Sequence, residues 1–285
     1  MPRTAVVTDS SACLPPHLAG ELGIATVPLG LLIGDEVHPD GSLSSGELFR
    51  LADETKRPLR TTSPAPAQFL EAYRQAGDDG AGEVLCLTLS ARFSGTYESA
   101  ITARGLAAEE LPGLDVRVVE TGGLAMTHGF AVLAAARSLA DGASAEAAAE
   151  EALRVAGRAR LVGLLGTMRY LARGGRVPWI VHWAAQLLSI RPLLVFAEGR
   201  PRSIGRVRTE EKGLLRLVEY VKAHTSGGAL HAAIMHTDAP EAARRLSEAL
   251  CGELAPVELL QTDFTSVMAV HTGPGFVGLA FYEDD

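Results

Sequence analysis

A short turn rich in hydroxyl groups, residues 90–96 (Ser-Ala-Arg-Phe-Ser-Gly-Thr), carries the side chains best suited to chemistry. An apolar segment, residues 84–89, precedes it and predicts a buried strand, and a helical pattern follows it. A turn between a strand and a helix offers free backbone N–H groups and the positive end of the helix dipole, so it can hold an anion. Gly95 lets a ligand approach the backbone closely. The alternative is that Ser94 or Thr96 only caps the helix.

A second cluster of hydroxyls, Thr61-Thr62-Ser63, stands just before a predicted helix. Pro66 suits the first turn of that helix, because a backbone N–H is not needed there. The three hydroxyls could donate hydrogen bonds to an acidic head group. The alternative is an ordinary capped loop.

An arginine and a histidine each follow a sharply shaped stretch of backbone. Gly174-Gly175 predicts a helix end in a left-handed turn, and Arg176 comes directly after it. Its fixed fork of donors suits an anion, although it could simply be solvated. His271 follows a predicted strand at residues 266–270 and precedes a Gly-Pro-Gly loop that constrains its backbone. A histidine held in this way is a candidate for acid–base or binding work, or it is structural.

Strands and helices alternate in the first half of the chain. The predicted strands are residues 5–8, 25–33, 84–89 and 116–119. The predicted helices are residues 48–55, 66–75, 99–110 and 130–139. This order predicts an α/β fold with a mainly parallel sheet, in which ligands bind at the carboxyl ends of the strands. The polar turns at residues 8–11 and 90–96 would then face one crevice.

An Ala/Glu-rich helix at residues 144–156 ends the first half, and we place a domain boundary near Gly157-Arg158. In the second half, the predicted strands are residues 161–165, 193–196, 230–235, 266–270 and 277–282. The predicted helices are residues 179–188, 209–223 and 240–250.

Composition excludes several classes of protein. Of the 285 residues, 47% are hydrophobic and 21% charged, which is typical of a globular protein with a substantial core. The formal net charge is −8 without a basic block among aromatic residues, so we expect no nucleic acid partner. No apolar run approaches the ~18 residues that span a bilayer, so we expect no stable membrane insertion. No signal-peptide pattern begins the chain, so we expect a cytoplasmic protein.

The three cysteines, Cys13, Cys86 and Cys251, form no C-x-x-C pair. We expect buried, reduced thiols and no metal site.

Taken together, these segments resemble the DegV family, bacterial fatty-acid-binding proteins that include the lipid-carrying subunit of fatty acid kinase. The resemblance covers essentially the whole chain. It is specific because the motifs occur in the family's order and spacing. They are residues 8–11 with 14–15, 61–69, 90–100, 171–177, 190–192 with 198–199, 206–208 and 271–275.

The resemblance implies a two-domain fold. Residues 1–157 would form an N-terminal three-layer α/β/α domain with a mainly parallel sheet. Residues 158–285 would form a C-terminal two-layer α/β domain with a mixed sheet. A long apolar tunnel between or within the domains would hold a long-chain fatty acid such as palmitate, and no cofactor is expected.

The resemblance also assigns residue roles. The fatty acid's carboxylate would hydrogen-bond Thr61 and Ser94, with the Gly95 N–H close by. His271 would also belong to the ligand-binding residues, and Arg176 and His271 would assist near the head group. Arg206 or Arg208 would help to dock the kinase subunit.

The chain departs from the family pattern around these contacts. The family's Thr-Ser-Gln-Pro-Ser is here Thr-Thr-Ser-Pro-Ala, so Ser63 replaces glutamine and Ala65 replaces serine. Ala91 replaces a serine, and Glu120-Thr121 replaces an Asp-Ser pair. The main head-group contacts are kept, and the polar groups that support them are altered.

Three functions compete. In the first, the protein carries a fatty acid and presents its carboxylate to an ATP-dependent kinase subunit, without being an enzyme on its own. In the second, it is an acyl hydrolase or transferase with Ser94 as nucleophile, His271 as base and Asp9 as orienting acid, although it has no G-x-S-x-G elbow. Asp40 is the other carboxylate that could do acid–base work. In the third, the protein is regulatory and a bound lipid is only structural.

Overall fold

The computed structural model describes residues 2–177, 190–197 and 199–284. The helix predicted at residues 179–188 and the position of Glu198 lie outside the described residues. The chain divides into two compact units, the first made of Met1–Gly30 and Thr61–Gly157, the second of Leu31–Arg60 and Arg158–Asp285.

The strands are numbered along the chain. They are β1 (Thr4–Asp9), β2 (Ile24–Val27), β3 (Gly30–Ile33), β4 (Glu36–Pro39), β5 (Leu59–Thr62), β6 (Glu83–Thr88), β7 (Asp115–Glu120), β8 (Arg160–Leu164), β9 (Arg191–Ala197), β10 (Arg200–Val207), β11 (Ala229–Thr237), β12 (Glu258–Asp263) and β13 (Phe276–Asp284).

The α-helices are numbered in the same way. They are α1 (Pro16–Glu21), α2 (Ser45–Thr55), α3 (Pro66–Asp78), α4 (Thr96–Glu110), α5 (Met126–Ala140), α6 (Ala145–Arg158), α7 (Arg169–Gly174), α8 (Glu210–Ala223), α9 (Pro240–Glu253) and α10 (Ser266–Thr272). A single 3-10 turn (Ser10–Ala12) follows β1.

The first unit is built on a four-stranded sheet in the order β2-β1-β6-β7, and every pair is parallel. Parallel strands are covered on both faces, which explains their nearly continuous apolar sequences. One face packs against α3 and α4, where Val7 and Cys86 share a core with Phe69 and Tyr73. Helix α5 covers the other face and brings His128 against Thr8. These three layers confirm the predicted α/β class.

The second unit contains a six-stranded mixed sheet in the order β10-β9-β8-β13-β11-β12. Its β11–β12 pair is parallel and its other pairs are antiparallel. Helices α8 and α9 bury their apolar faces on it, with Leu217 and Leu246 in one core with Leu164 and Ile234. A separate three-stranded sheet has the order β4-β3-β5.

The segment predicted as one strand at residues 25–33 is two strands in different sheets. Pro28 lies between β2 and β3. Proline has no N–H to donate to a strand ladder, so the pairing stops there and resumes in another sheet.

The strand predicted at residues 266–270 is wrong, because this segment is helix α10. The Thr265 side chain accepts a hydrogen bond from the Met268 N–H, and the Asp40 carboxylate accepts one from the Val267 N–H at 2.9 Å. A short apolar run is compatible with a buried strand or a buried helix, and here the caps from Thr265 and Asp40 favour the helix.

The boundary predicted between residues 157 and 158 differs from the observed division, because Leu31–Arg60 joins the second unit. The reason lies in three contacts. Asp40 caps α10, the Phe49 ring meets the Tyr170 ring edge-on at 5.2 Å, and the Ser45 hydroxyl donates to the Phe264 carbonyl at 3.4 Å. That the units fold as separate domains stays a prediction.

Candidate functional site

The turn after β6 is anchored by polar groups of the neighbouring strands. The Leu89 N–H donates to Asp9 Oδ2 at 2.9 Å. The Ala91 N–H and the Ser90 hydroxyl both donate to Glu120 Oε1, at 2.8 and 3.2 Å. The turn therefore leaves the sheet in a defined direction before it reaches Ser94.

The hydroxyls of Ser94 and Thr96 bond each other and do not cap the helix. Their oxygens lie 2.8 Å apart. Gly95 occupies the capping position of α4, and within the described part of the chain that position has no side-chain cap. The N-terminal N–H groups of this 15-residue helix keep their capacity to bind an anion.

The second hydroxyl cluster adjoins this turn. Thr61 is partly buried near the end of β5, and α3 begins four residues after Thr62. A β-carbon built on Gly95 would lie 3.4 Å from Ser63 Oγ, so the two loops lie side by side. Within the first unit, the structure therefore brings together the loops that carry Thr61, Ser94 and Gly95.

A buried polar network that the sequence did not predict lies behind this turn. The His128 ring reaches Thr8 Oγ1 with Nε2 and Thr121 Oγ1 with Nδ1, both at 3.0 Å. Asp9 Oδ2 is 3.6 Å from His128 Nε2, and both side chains are fully buried. Nothing in the spacing of His128 along the chain could have revealed this, because its partners are 120 and 7 residues away.

Asp9 is occupied by this network. Its Oδ1 accepts from the Ser11 N–H at 3.0 Å and from the Ser11 hydroxyl at 2.5 Å. Burial opposes ionisation of Asp9, but His128, Ser11 and the Leu89 N–H outweigh it and hold the Asp9 pKa below its usual range. The carboxylate thus organises the strand ends and is committed to that task.

Arg176 and His271 lie together in the second unit. Helix α7 ends at Gly174, Gly175 is left-handed with φ of +68°, and Arg176 Nη1 donates back to the Gly174 carbonyl at 2.7 Å. The predicted helix end is therefore confirmed. His271 lies in the last turn of α10 and not after a strand, as the sequence had suggested.

The environment of His271 favours a neutral ring. Burial and then the nearby Arg176 charge lower the His271 pKa to about 4. At neutral pH the imidazole can donate one hydrogen bond and accept another, but it does not supply a positive charge. The positive charge in this pair belongs to Arg176.

The arrangement does not supply the hydrolase with an orienting acid. Asp9 is held by Ser11 and Leu89, and Asp40 accepts from the Ser266 hydroxyl at 2.8 Å and the Val267 N–H as the cap of α10. Both carboxylates that the sequence suggested as acids accept hydrogen bonds from backbone N–H groups.

A basic groove of about 790 Å³ lies between the end of β10 and the face of α8 in the second unit. It contains the two predicted docking residues, Arg206 and Arg208, both exposed. The sequence did not single out its other cations, Lys212 and Arg216, or the exposed Leu215 between them. Lys212, Leu215 and Arg216 line the groove because one face of α8 packs beside the end of β10.

Several expectations concern other kinds of site. Among the described residues, no group of three or more His, Cys, Asp or Glu could hold a metal ion. No helix within the described ranges is both long and apolar enough to span a bilayer.

Cys13 and Cys86 are buried as expected, whereas Cys251 is exposed, which corrects the expectation for that residue.

The chain is similar to proteins of one family along its whole length. A profile of the family described as "Uncharacterised protein, DegV family" matches residues 3–284. A DegV domain-containing protein of Deinococcus radiodurans is 36% identical over 279 residues, which cover 97% of each chain. One of Streptomyces coelicolor is 34% identical over 278 residues, again 97% of each chain.

Solved structures agree. A DegV family protein from Thermus thermophilus, named for fatty acid binding, is 32% identical with a TM-score of 0.89, covering 99% of this chain and 100% of that one. A Thermotoga maritima protein, whose structure is said to reveal a fatty acid binding function, is 25% identical with a TM-score of 0.87 and full coverage of both chains, each 100%. The fold, the ordered motifs and these similarities together show that the chain belongs to the DegV family.

Proposed function

We propose that this protein binds a long-chain fatty acid and holds its carboxylate with the Thr61 and Ser94 hydroxyls and the Gly95 N–H. The observation that carries the proposal is that two hydroxyl-bearing loops lie side by side at the start of α4, where Gly95 provides no side-chain cap. The similar Thermus thermophilus protein, named for fatty acid binding, supports the choice of ligand.

The energetics favour such a ligand. Burying a carboxylate is costly unless its oxygens receive hydrogen bonds, and hydroxyl and backbone donors offset that cost. Each buried methylene contributes about 0.8 kcal/mol, so a C16 tail provides ample driving force after ordering losses. A short-chain acid buries few methylenes and gains little of this free energy, so we expect the protein to bind long-chain fatty acids more tightly than short ones.

We further propose that the protein presents the carboxylate to an ATP-dependent kinase subunit and does not transform it alone. The resemblance stated above supports this, together with the basic groove around Arg206 and Arg208. On a chain with a net charge of −8, a cluster of exposed cations suits an acidic partner surface. Arg176 and His271 are proposed to act near the head group, as the resemblance implies.

The hydrolase is disfavoured by the engagement of Asp9 and Asp40, and no observation favours a purely structural lipid. Extraction of the purified protein with organic solvent, followed by mass spectrometry, tests the main proposal. We expect about one long-chain fatty acid per chain. Protein that is free of fatty acid and does not take up added palmitate would refute it.

A further inference from the structure

Thr88, the last residue of β6, has a hydroxyl for which the fold provides no partner. Its side chain is fully buried, and Oγ1 has no hydrogen-bond partner in the described part of the chain. Its carbonyl, in contrast, accepts from both the N–H and the hydroxyl of Thr121. A buried polar atom without a partner is costly, so an unpaired hydroxyl at this position needs an explanation.

The alternation of side chains along β6 indicates where this hydroxyl lies. Thr88 is two residues after Cys86, so both side chains leave the sheet on the same face. Cys86 packs there among Tyr73 of α3 and Ala100 of α4, and the Tyr73 hydroxyl donates to the Ala100 carbonyl at 3.3 Å. Thr88 therefore lies on the α3/α4 face, one step nearer to the carboxyl ends of the strands.

The first turns of α3 and α4 lie at that same end. In a parallel sheet each crossover helix runs back against its strands, so its N-terminus is near their carboxyl ends. The N-terminus of α4 follows Ser94 and Gly95 and begins with the fully buried Thr96. The loop before α3 comes close to Gly95, because a β-carbon built there would lie 3.4 Å from Ser63 Oγ. The unpaired hydroxyl is therefore on the face of the sheet, and at the strand end, where both hydroxyl-bearing loops lead into their helices.

A carboxylate can use another donor at this point. Its two oxygens offer about four acceptor positions, and the donors proposed from the first unit, Thr61, Ser94 and the Gly95 N–H, fill three. We infer that Thr88 is the fourth donor and that its hydroxyl binds the carboxylate of the fatty acid. This inference rests on the proposed function and adds a contact that the motifs did not suggest.

Three variants test it. Thr88→Val keeps the shape of the side chain without the hydroxyl, Thr88→Ser keeps the hydroxyl, and Thr88→Ala provides a smaller apolar side chain if the valine variant does not fold. Each is stripped of lipid, and its affinities for palmitate and for hexadecanol are measured by calorimetry. The alcohol has the same tail but no carboxylate, so a general packing defect would affect both ligands alike.

We expect Thr88→Val to weaken palmitate binding roughly ten- to a hundredfold, the effect of losing a hydrogen bond to a charged group. Hexadecanol binding should change little, Thr88→Ser should restore palmitate binding, and lipid-free Thr88→Val should melt no lower than the wild type. Unchanged palmitate binding, or equal losses for both ligands, would overturn the inference. Failure of the wild type itself to bind palmitate would instead refute the proposed function.

Discussion

The ring of His271 lies directly against the backbone of Gly174. A β-carbon built on Gly174 would stand 2.8 Å from His271 Nδ1, closer than real side chains approach. The last turn of α7 and the last turn of α10 can therefore meet only because residue 174 has no side chain. The Gly-Gly-Arg segment and the end of helix α10, far apart in the sequence, pack together through this close approach.

Gly174→Ala should force the His271 ring or the end of α7 to move. We expect a loss of roughly 1–3 kcal/mol in the free energy of unfolding, typical of overpacking, measured by urea denaturation. Gly105→Ala is the matched control, because position 105 lies within α4 and a β-carbon built there would meet nothing within 4 Å beyond its own helix backbone. That control should stabilise by roughly 0.5–1 kcal/mol. Equal effects at the two positions would contradict the contact.

His271 should make stability depend on pH. Its pKa is about 4 in the folded protein and 6.5 for the ordinary side chain, so between these values the unfolded chain binds more protons. Stability therefore rises with pH across this window, and roughly 3 kcal/mol is lost as the pH falls from 6.5 to 4. Urea denaturation of the wild type and His271→Gln at several pH values checks this. The same pH dependence in both proteins would contradict it.

Thr61→Ala and Ser94→Ala should each reduce retention of the fatty acid. Loss of one hydroxyl donor to a buried carboxylate costs roughly 1–3 kcal/mol, which is about a five- to 150-fold weaker affinity. Competition for a fluorescent fatty acid measures this. Thr102→Ala is the control, because its hydroxyl is exposed on α4 and donates to the Glu98 carbonyl of the same helix. Full occupancy in both site variants would argue against the proposed contacts.

His128→Leu should be strongly destabilising. It removes one partner of the fully buried Asp9 carboxylate and leaves Thr8 and Thr121 facing an apolar side chain. Breaking a buried pair from one side costs about 3–5 kcal/mol, so we expect a loss of that size in urea denaturation. His17→Leu, at an exposed position, should change stability by less than about 0.5 kcal/mol. A His128→Leu protein as stable as the wild type would show that the network is unimportant.

Arg206→Glu and Arg208→Glu should weaken the association with a kinase subunit without altering fatty acid content. Reversing a charge in the groove puts like charges against an acidic partner, and added salt should weaken wild-type association as well. Kinase-dependent ATP turnover, measured with each variant and with the control Arg50→Glu, tests this. Arg50 is exposed on α2 and pairs with Glu54. Equal turnover for all three variants would exclude the groove.

Much of the fold and part of the site could be predicted from the sequence. The parallel strands of the first unit, the hydroxyl-rich turn after β6 and the left-handed end of α7 follow from local rules. An apolar run, a helical period or a glycine pair acts over a few residues, so the sequence shows it directly. The same rules could not decide the form of residues 266–270, because Asp40, more than 220 positions away, caps the helix that they form.

What the sequence by itself determined is the order of the motifs and the donors that they offer, including Thr61, Ser94 and His271. Only the tertiary structure decided which polar groups are already used. Asp9 is occupied by Ser11 and Leu89, while the Thr88 hydroxyl is left without a partner among the described residues. The reason is physical. Hydrogen bonding and burial depend on groups that meet only after folding, and no local pattern records which pairs those will be.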